Sequence, residues 1–263
     1  MIDAEKGDGV DWAKRFHVNG YPTVILLDGK GGEIDRLAGY APMPGYLKTL
    51  QDYQAGIGTL AALQAERALK PQDQALALQV AGKLAGRGQA DEARAVYQGV
   101  LDADPQNVQG GADEAAGELA LLQFRASKDP AVLEAVLTNW KGLEQGPQLY
   151  NALVALAAKA GDDARMQTLL ERAVADYPRD VELLNSYAWT GAEKGWNLER
   201  ALELAQRAVE LSGRDPNVLD TLAEVQFRRG EREAAQATIR EALAARPGDP
   251  YLTGQLTRFQ TQP

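Results

Sequence analysis

The sequence predicts a mostly α fold: a superhelix of stacked helical hairpins behind a short α/β segment. Three observations carry this expectation. Aromatic residues make up only 6% of the 263 residues while alanine and leucine are abundant, a composition that favours helices. Glycines 161, 195 and 230 stand 34 and 35 residues apart, each between two stretches of helical periodicity. Strand signals occur only before residue 57.

The elements follow in order. In "DWAKRFH" the residues Trp12, Ala13 and Phe16 share one helical face, and "VNGY" ends the helix. "PTVILLD" contains an unbroken apolar run from Val24 to Leu27, which predicts a strand buried on both faces. "DGKGG" is a glycine-rich turn and "GEIDRLAGY" a more polar strand, so the two strands form a hairpin. Helical periodicity resumes through Tyr46, Leu47, Leu50 and Tyr53.

Helix, X-Pro-Thr strand, glycine turn, strand ending in Gly-Tyr and helix: this order over Ile2 to Gln54 resembles the second half of the thioredoxin family, on "VNGYPT" followed by "GGEIDRLAGY". The resemblance implies a cis Tyr21–Pro22 bond and a peptide platform formed by Tyr21, Pro22 and Thr23. It also implies a dithiol segment upstream of Met1, so residues 1–56 read as a truncated thioredoxin-like domain. The chain has no cysteine, and thiol–disulfide exchange requires a thiolate. Without its missing neighbour the strand at residues 23–28 presents an open apolar edge, which invites self-association. The helix from Gly58 to Ala68 is expected to dock against this half domain.

From residue 57 onward the pattern is helical. Residues 57–73 read as a linking helix, 74–249 as an array and 250–263 as a capping helix. "AGKLAGRGQADEARAVYQGVLDADPQN" sets the scheme: Ala81 where helices cross, Gly88 at the turn, Ala93 in the second helix and Pro105 beyond it. Gly161, Ala173 and Pro178 repeat it, as do Ala188, Gly195 and Ala201, then Ala223, Gly230, Ala235 and Pro247. This arrangement is similar to the tetratricopeptide repeat (TPR) family. The units run 74–107, 108–146 (degenerate, without the turn glycine), 147–180, 181–215 and 216–249.

Candidate chemistry is sparse. His17 has no orienting partner nearby in sequence and reads as a solvated or structural residue. Asp162–Asp163 and Glu231–Glu233 precede second helices, where acids cap backbone N–H groups. "GKGG" joins strand to strand and lacks the helix of a phosphate loop. No metal-ligand spacing appears and no cofactor is expected. The four tryptophans read as packing anchors, with Trp189 also a groove candidate. In TPR arrays the first helices line a concave groove, which the resemblance places at Asn151, Asn185, Trp189, Asp220, Glu224 and Phe227. Asn151, Ala155, Ser186, Asn217 and Thr221 stand where relatives that capture a C-terminal carboxylate carry Lys and Arg, which argues against that mode.

A net charge of −9 repels phosphate backbones, so nucleic acid is not an expected partner. No apolar run approaches the roughly 18 residues of a membrane span, and no signal peptide is visible. The resulting expectation is a soluble, non-catalytic module of a bacterial thioredoxin–TPR protein, in cytoplasm or periplasm, binding client polypeptides. The alternatives are a fragment of a thiol–disulfide oxidoreductase active in redox homeostasis, a chaperone-like holdase and an assembly scaffold.

Overall fold

The computed structural model describes residues 3–18, 20–40 and 42–261. The chain is mostly helical and divides into two compact units, Met1–Trp140 and Lys141–Pro263.

The first unit opens with α1 (Asp8–Arg15), the strands β1 (Thr23–Leu27) and β2 (Glu33–Ala38), and α2 (Met43–Gln54). Trp12 and Phe16, one turn apart, stack at 5.7 Å, with the Arg15 guanidinium over both rings. Phe16 is buried, whereas Trp12 lies at the surface and is not the anchor its size suggests. The strands pair antiparallel from Thr23–Ala38 to Leu26–Asp35, and a bulge precedes the last pair, Leu27–Glu33. Asp28 shapes the turn by accepting from the N–H groups of Lys30 and Gly32, both at 2.8 Å. The Tyr21–Pro22 bond is cis.

One expectation for this region needs correction. β1 is not buried on both faces: its residues are half-buried and Val24 is 37% exposed. The sheet has two strands among the described residues, so β1 has a neighbour on one edge only. The polar strand β2 carries the buried residue instead, because Asp35 is completely enclosed. The helix after Gly58 does reach the hairpin, as expected, and the helix behind it adds to that contact. The first of them, α3 (Leu60–Leu69), gives Asp35 one bond, from the Leu60 N–H at 2.7 Å. The side-chain joint is made by α4 (Gln74–Gly86) and the residue that follows it. Lys83 donates to Asp35 at 2.9 Å, and the Arg87 guanidinium lies 3.4 Å from the same carboxylate. Arg87 also donates to the Ile34 carbonyl, and Arg36 of β2 reaches back to the Gly86 carbonyl at 2.5 Å. Burying a carboxylate is tolerable only when it is paired and hydrogen-bonded, and two cations with two backbone N–H groups do this for Asp35.

Helical hairpins follow. The first unit holds α4 with α5 (Ala90–Ala103) and α6 (Ala112–Ser127) with α7 (Ala131–Asn139). The second holds α8 (Gly146–Ala160) with α9 (Asp163–Asp176), α10 (Val181–Lys194) with α11 (Leu198–Leu211), and α12 (Pro216–Arg228) with α13 (Arg232–Ala245). The chain closes with α14 (Pro250–Thr261). Ala81, Ala93, Ala173, Ala188, Ala223 and Ala235 are fully buried at the crossings, where a larger side chain would part the helices. The turn residues Gly88, Gly161, Gly195 and Gly230 all have positive φ, between 68° and 82°. In the hairpin without a turn glycine, Lys128 takes the left-handed position at φ 58°. Asp162 caps α9 through the Arg165 N–H as expected, but Glu231 makes no cap and pairs with Arg229. Among the described residues no helix is long and apolar enough to cross a membrane.

Candidate functional site

Two places gather residues singled out in the sequence. The first is the hairpin. Tyr21 is 60% exposed and Pro22 is exposed, while Thr23 is half-buried and its hydroxyl donates to the Gly20 carbonyl at 2.7 Å. Beside Thr23 lies a cleft of about 380 Å3, walled by Gly20 and Arg36 on one side and by Gly86, Tyr97 and Glu114 on the other. Burial, with Glu118 and Glu114 adding to it, pushes the Tyr97 hydroxyl well above the ordinary tyrosine range, so it stays protonated and can donate. His17 packs on the turn after α4: a Cβ on Gly88 would fall 2.5 Å from its Cγ. That contact gives the imidazole a packing role.

The second place is the face shared by the first helices of the second unit. Asn151, Asn185 and Asp220 recur at intervals of 34 and 35 residues, on α8, α10 and α12. One turn further along lie Trp189 on α10 and Glu224 on α12. Asn151 donates to Glu182 at 3.0 Å. Trp189 is half-buried, and so is Asn185, although its Oδ1 is wholly enclosed and accepts no hydrogen bond.

On α12 the sequence places charge where a packed helix would carry apolar residues. Asp220, Thr221 and Glu224 are 6%, 3% and 3% exposed. Glu224 is neutralised twice: Arg228 donates from its own helix at 2.8 Å, and Arg258 donates from α14. The Arg258 guanidinium also lies over Phe227 at 5.0 Å and Phe259 at 4.7 Å, and those two rings contact each other at 4.8 Å. Asp220 is less well served. The Tyr251 hydroxyl donates to its Oδ2 at 3.1 Å and itself accepts from Gln255 at 2.9 Å. Oδ1 of Asp220 is enclosed without a partner. Burial pushes the Asp220 carboxyl above the usual carboxylate range; the neighbouring Glu224 charge acts in the same direction, while bonds from Tyr251 and Gln255 and the charge of Arg258 oppose it.

The structure thus joins Asp220, Glu224 and Phe227 into one cluster, and does so through α14. Tyr251, Gln255 and Arg258 are functional candidates that sequence reasoning missed. A signal existed: Glu224 and Arg258 are opposite charges 34 residues apart, one repeat length, and therefore at equivalent places on successive first helices. The cluster holds acceptors and cations, groups that form hydrogen bonds and ion pairs. No group of metal-ligating side chains occurs among the described residues.

No protein-family model matches the chain. A TPR repeat-containing protein of Pseudomonas aeruginosa is 32% identical over 110 residues, which cover 41% of this chain and 19% of that relative. The chain therefore matches about a fifth of the length of that curated relative. Among solved structures, YrrB, described as a TPR protein with an unusual peptide-binding site, superimposes with a TM-score of 0.50 at 19% identity, over 75% of this chain and 98% of that one. A thermophilic TPR protein of Thermus thermophilus gives a TM-score of 0.41 at 22% identity, over 71% and 98%. The relative and YrrB are both TPR proteins, and the superposition on YrrB shows a TPR-like superhelical fold. Neither bears on the thioredoxin-like reading of residues 1–56. Stacked-repeat proteins of this kind present extended concave binding surfaces.

Proposed function

We propose that this chain is a protein-interaction module that receives an extended polypeptide segment along α8, α10 and α12 of its second unit. The observation that carries this reading is the burial of Asp220, Thr221 and Glu224 on one helix. They are half of the six buried polar or charged residues among those described. A helix serving only as packing would fill such positions with apolar side chains, which bury without a desolvation cost. Asn151 and Asn185 continue the polar row on the neighbouring first helices. Of the solved folds, YrrB is described as having a peptide-binding site, which agrees with this use of the fold.

The helix–hairpin–helix order of α1, β1, β2 and α2 supports a thioredoxin-like half domain as the companion of the array. In this reading Tyr21, Pro22 and Thr23 form a separate peptide contact within the first unit, beside the 380 Å3 cleft. The single-sided pairing of β1 supports a further contact, between the free edges of two copies at residues 23–28. Sedimentation of the full chain over a concentration series tests that contact; a monomer at all concentrations removes it.

The groove reading is tested by selecting binders from a random dodecapeptide display library and mapping a selected neutral peptide by amide exchange. Protection confined to α8, α10 and α12 supports the reading. Protection on the second helices α9, α11 and α13, or none anywhere, overturns it.

A further inference from the structure

We propose that the cleft between the β-hairpin and the helices α4, α5 and α6 binds an aliphatic primary ammonium, held by Tyr97, Glu114 and Glu118. The site lies wholly within the first unit and depends neither on the groove along α8, α10 and α12 nor on the contact at Tyr21. Tyr97 of α5 is 2% exposed, yet its hydroxyl hydrogen-bonds no group among the described residues. A hydroxyl on so buried a side chain is normally bonded within the fold. This one reaches the cleft wall instead: a Cβ on Gly82, which lines the cleft, would stand 3.8 Å from it.

The neighbours of this hydroxyl define the guest. Glu118 and Glu114 both line the cleft, and the charges of both act on Tyr97. They stand one turn apart on one face of α6, where like charges repel and a cation between them removes the repulsion. Each carboxylate offers about four acceptor directions, so the interactions they already make leave room for another donor. A phenol hydroxyl donates once and still accepts, so Tyr97 can give its proton to one carboxylate and take an N–H of the guest. An ammonium carries three N–H donors and meets three acceptors here. Gly82, Ala85 and Gly86 of α4, with Ala38 of β2, form a wall of small side chains along which a methylene stem can lie. The cations in the wall are accounted for. Glu33 and the carbonyls of Phe16 and Gly86 take up the Arg36 guanidinium. Arg125 is exposed, about 10 Å of helix beyond Glu118.

The test is an amide-shift titration of the isotope-labelled full chain with two probes, acetyl-Gly-Lys-Gly-amide and 1,5-diaminopentane. The same peptide with norleucine in place of lysine is the uncharged control. Saturable shifts at residues 82–86 and 114–118 are expected with the ammonium probes and none with norleucine. Saturation by the lysine peptide points to a polypeptide guest, and saturation by the diamine alone to a free amine; both support the site. Tyr97→Phe removes one oxygen from a packed ring and should weaken the ammonium about tenfold. Glu118→Gln should weaken it tenfold or more, since it removes a charge-assisted bond. Equal binding of the norleucine peptide, shifts that do not saturate, or a Tyr97→Phe protein that binds as well as the parent overturns the site. The selection of neutral peptides for α8, α10 and α12 reads a different unit, so either proposal can fall without the other.

Discussion

Asp35 and Asp220 are both buried carboxylates, yet they are treated in opposite ways. Asp35 accepts from the Leu60 and Arg36 N–H groups and from Lys83, and Arg87 stands beside it. Asp220 is held by neutral donors, the Tyr251 hydroxyl and the Gln255 amide. The first is the treatment of a structural joint, where a buried charge is retained by filling its acceptor sites. The second leaves a buried carboxylate to neutral donors, and burial raises it above its ordinary range. Exposure alone would not separate them; the inventory of partners does.

The sharpest way to break this contrast is Asp35→Ala. It leaves Lys83 and Arg87 facing each other without their shared anion and the Leu60 N–H without an acceptor, a loss of about 3–5 kcal/mol. Denaturant unfolding of the full chain measures it, and the amides of β1 and β2 should exchange freely in the variant. Retention of their protection would mean that the hairpin does not hang on this carboxylate.

Next in size is a pair of glycine substitutions. Gly88 and Gly230 both have left-handed backbone, φ 77° and 82°, so alanine costs about 1–2 kcal/mol at either. Only at Gly88 does the added carbon meet another group, His17, so Gly88→Ala should cost more and should also loosen the end of α1. Equal melting temperatures for the two variants would show that the His17 contact bears no load.

Glu224→Gln should cost about 1–2 kcal/mol, less than Asp35→Ala, because Arg228 and Arg258 are partly solvated and recover hydration. The effect should appear in exchange from α14 before any other helix.

The smallest effect has the opposite sign. The native Asp220 carboxyl is raised above its ordinary value of 3.8, so the folded state binds the proton more tightly than the unfolded state. Its contribution to stability is then greatest below the unfolded value and declines as pH rises through the raised native one. Asp220→Asn should therefore raise the neutral-pH melting temperature and flatten its dependence on acid, in contrast to every substitution at Asp35. Tyr251, Gln255, Glu224 and Arg258 face this group and stay in place in the comparison. A destabilised Asp220→Asn would return Asp220 to the class of Asp35.

The repeats were legible because their determinants are local. A turn glycine must adopt positive φ, a crossing alanine must be small, and both recur at the repeat length; Gly161, Gly195 and Gly230 behave as their spacing implies. The degenerate hairpin was legible only in outline, since nothing in "FRASKDP" announces that Lys128 will take the left-handed position. The joint at Asp35 was invisible for a different reason. Its cation Lys83 lies 48 residues away on a helix, and strand alternation reports which residues share a face without reporting what that face will meet. On the first helices, sequence periodicity reached Asp220 and Glu224 but stopped at the last full repeat. Tyr251, Gln255 and Arg258, which complete the cluster, sit in what read as a cap.

Arg36 shows how such a joint can be inherited. Its guanidinium donates to the carbonyls of Phe16 at 2.7 Å and Gly86 at 2.5 Å while Glu33 steadies it from the strand. A carbonyl oxygen is present whatever residue carries it. As far as this bond is concerned, positions 16 and 86 can drift through generations, but position 36 cannot, because a lysine ammonium lacks the fork that reaches both oxygens. This part of the tie between hairpin and first repeat thus asks for specific side chains on β2 alone, whereas the bridge from Asp35 to Lys83 and Arg87 asks for them on both partners.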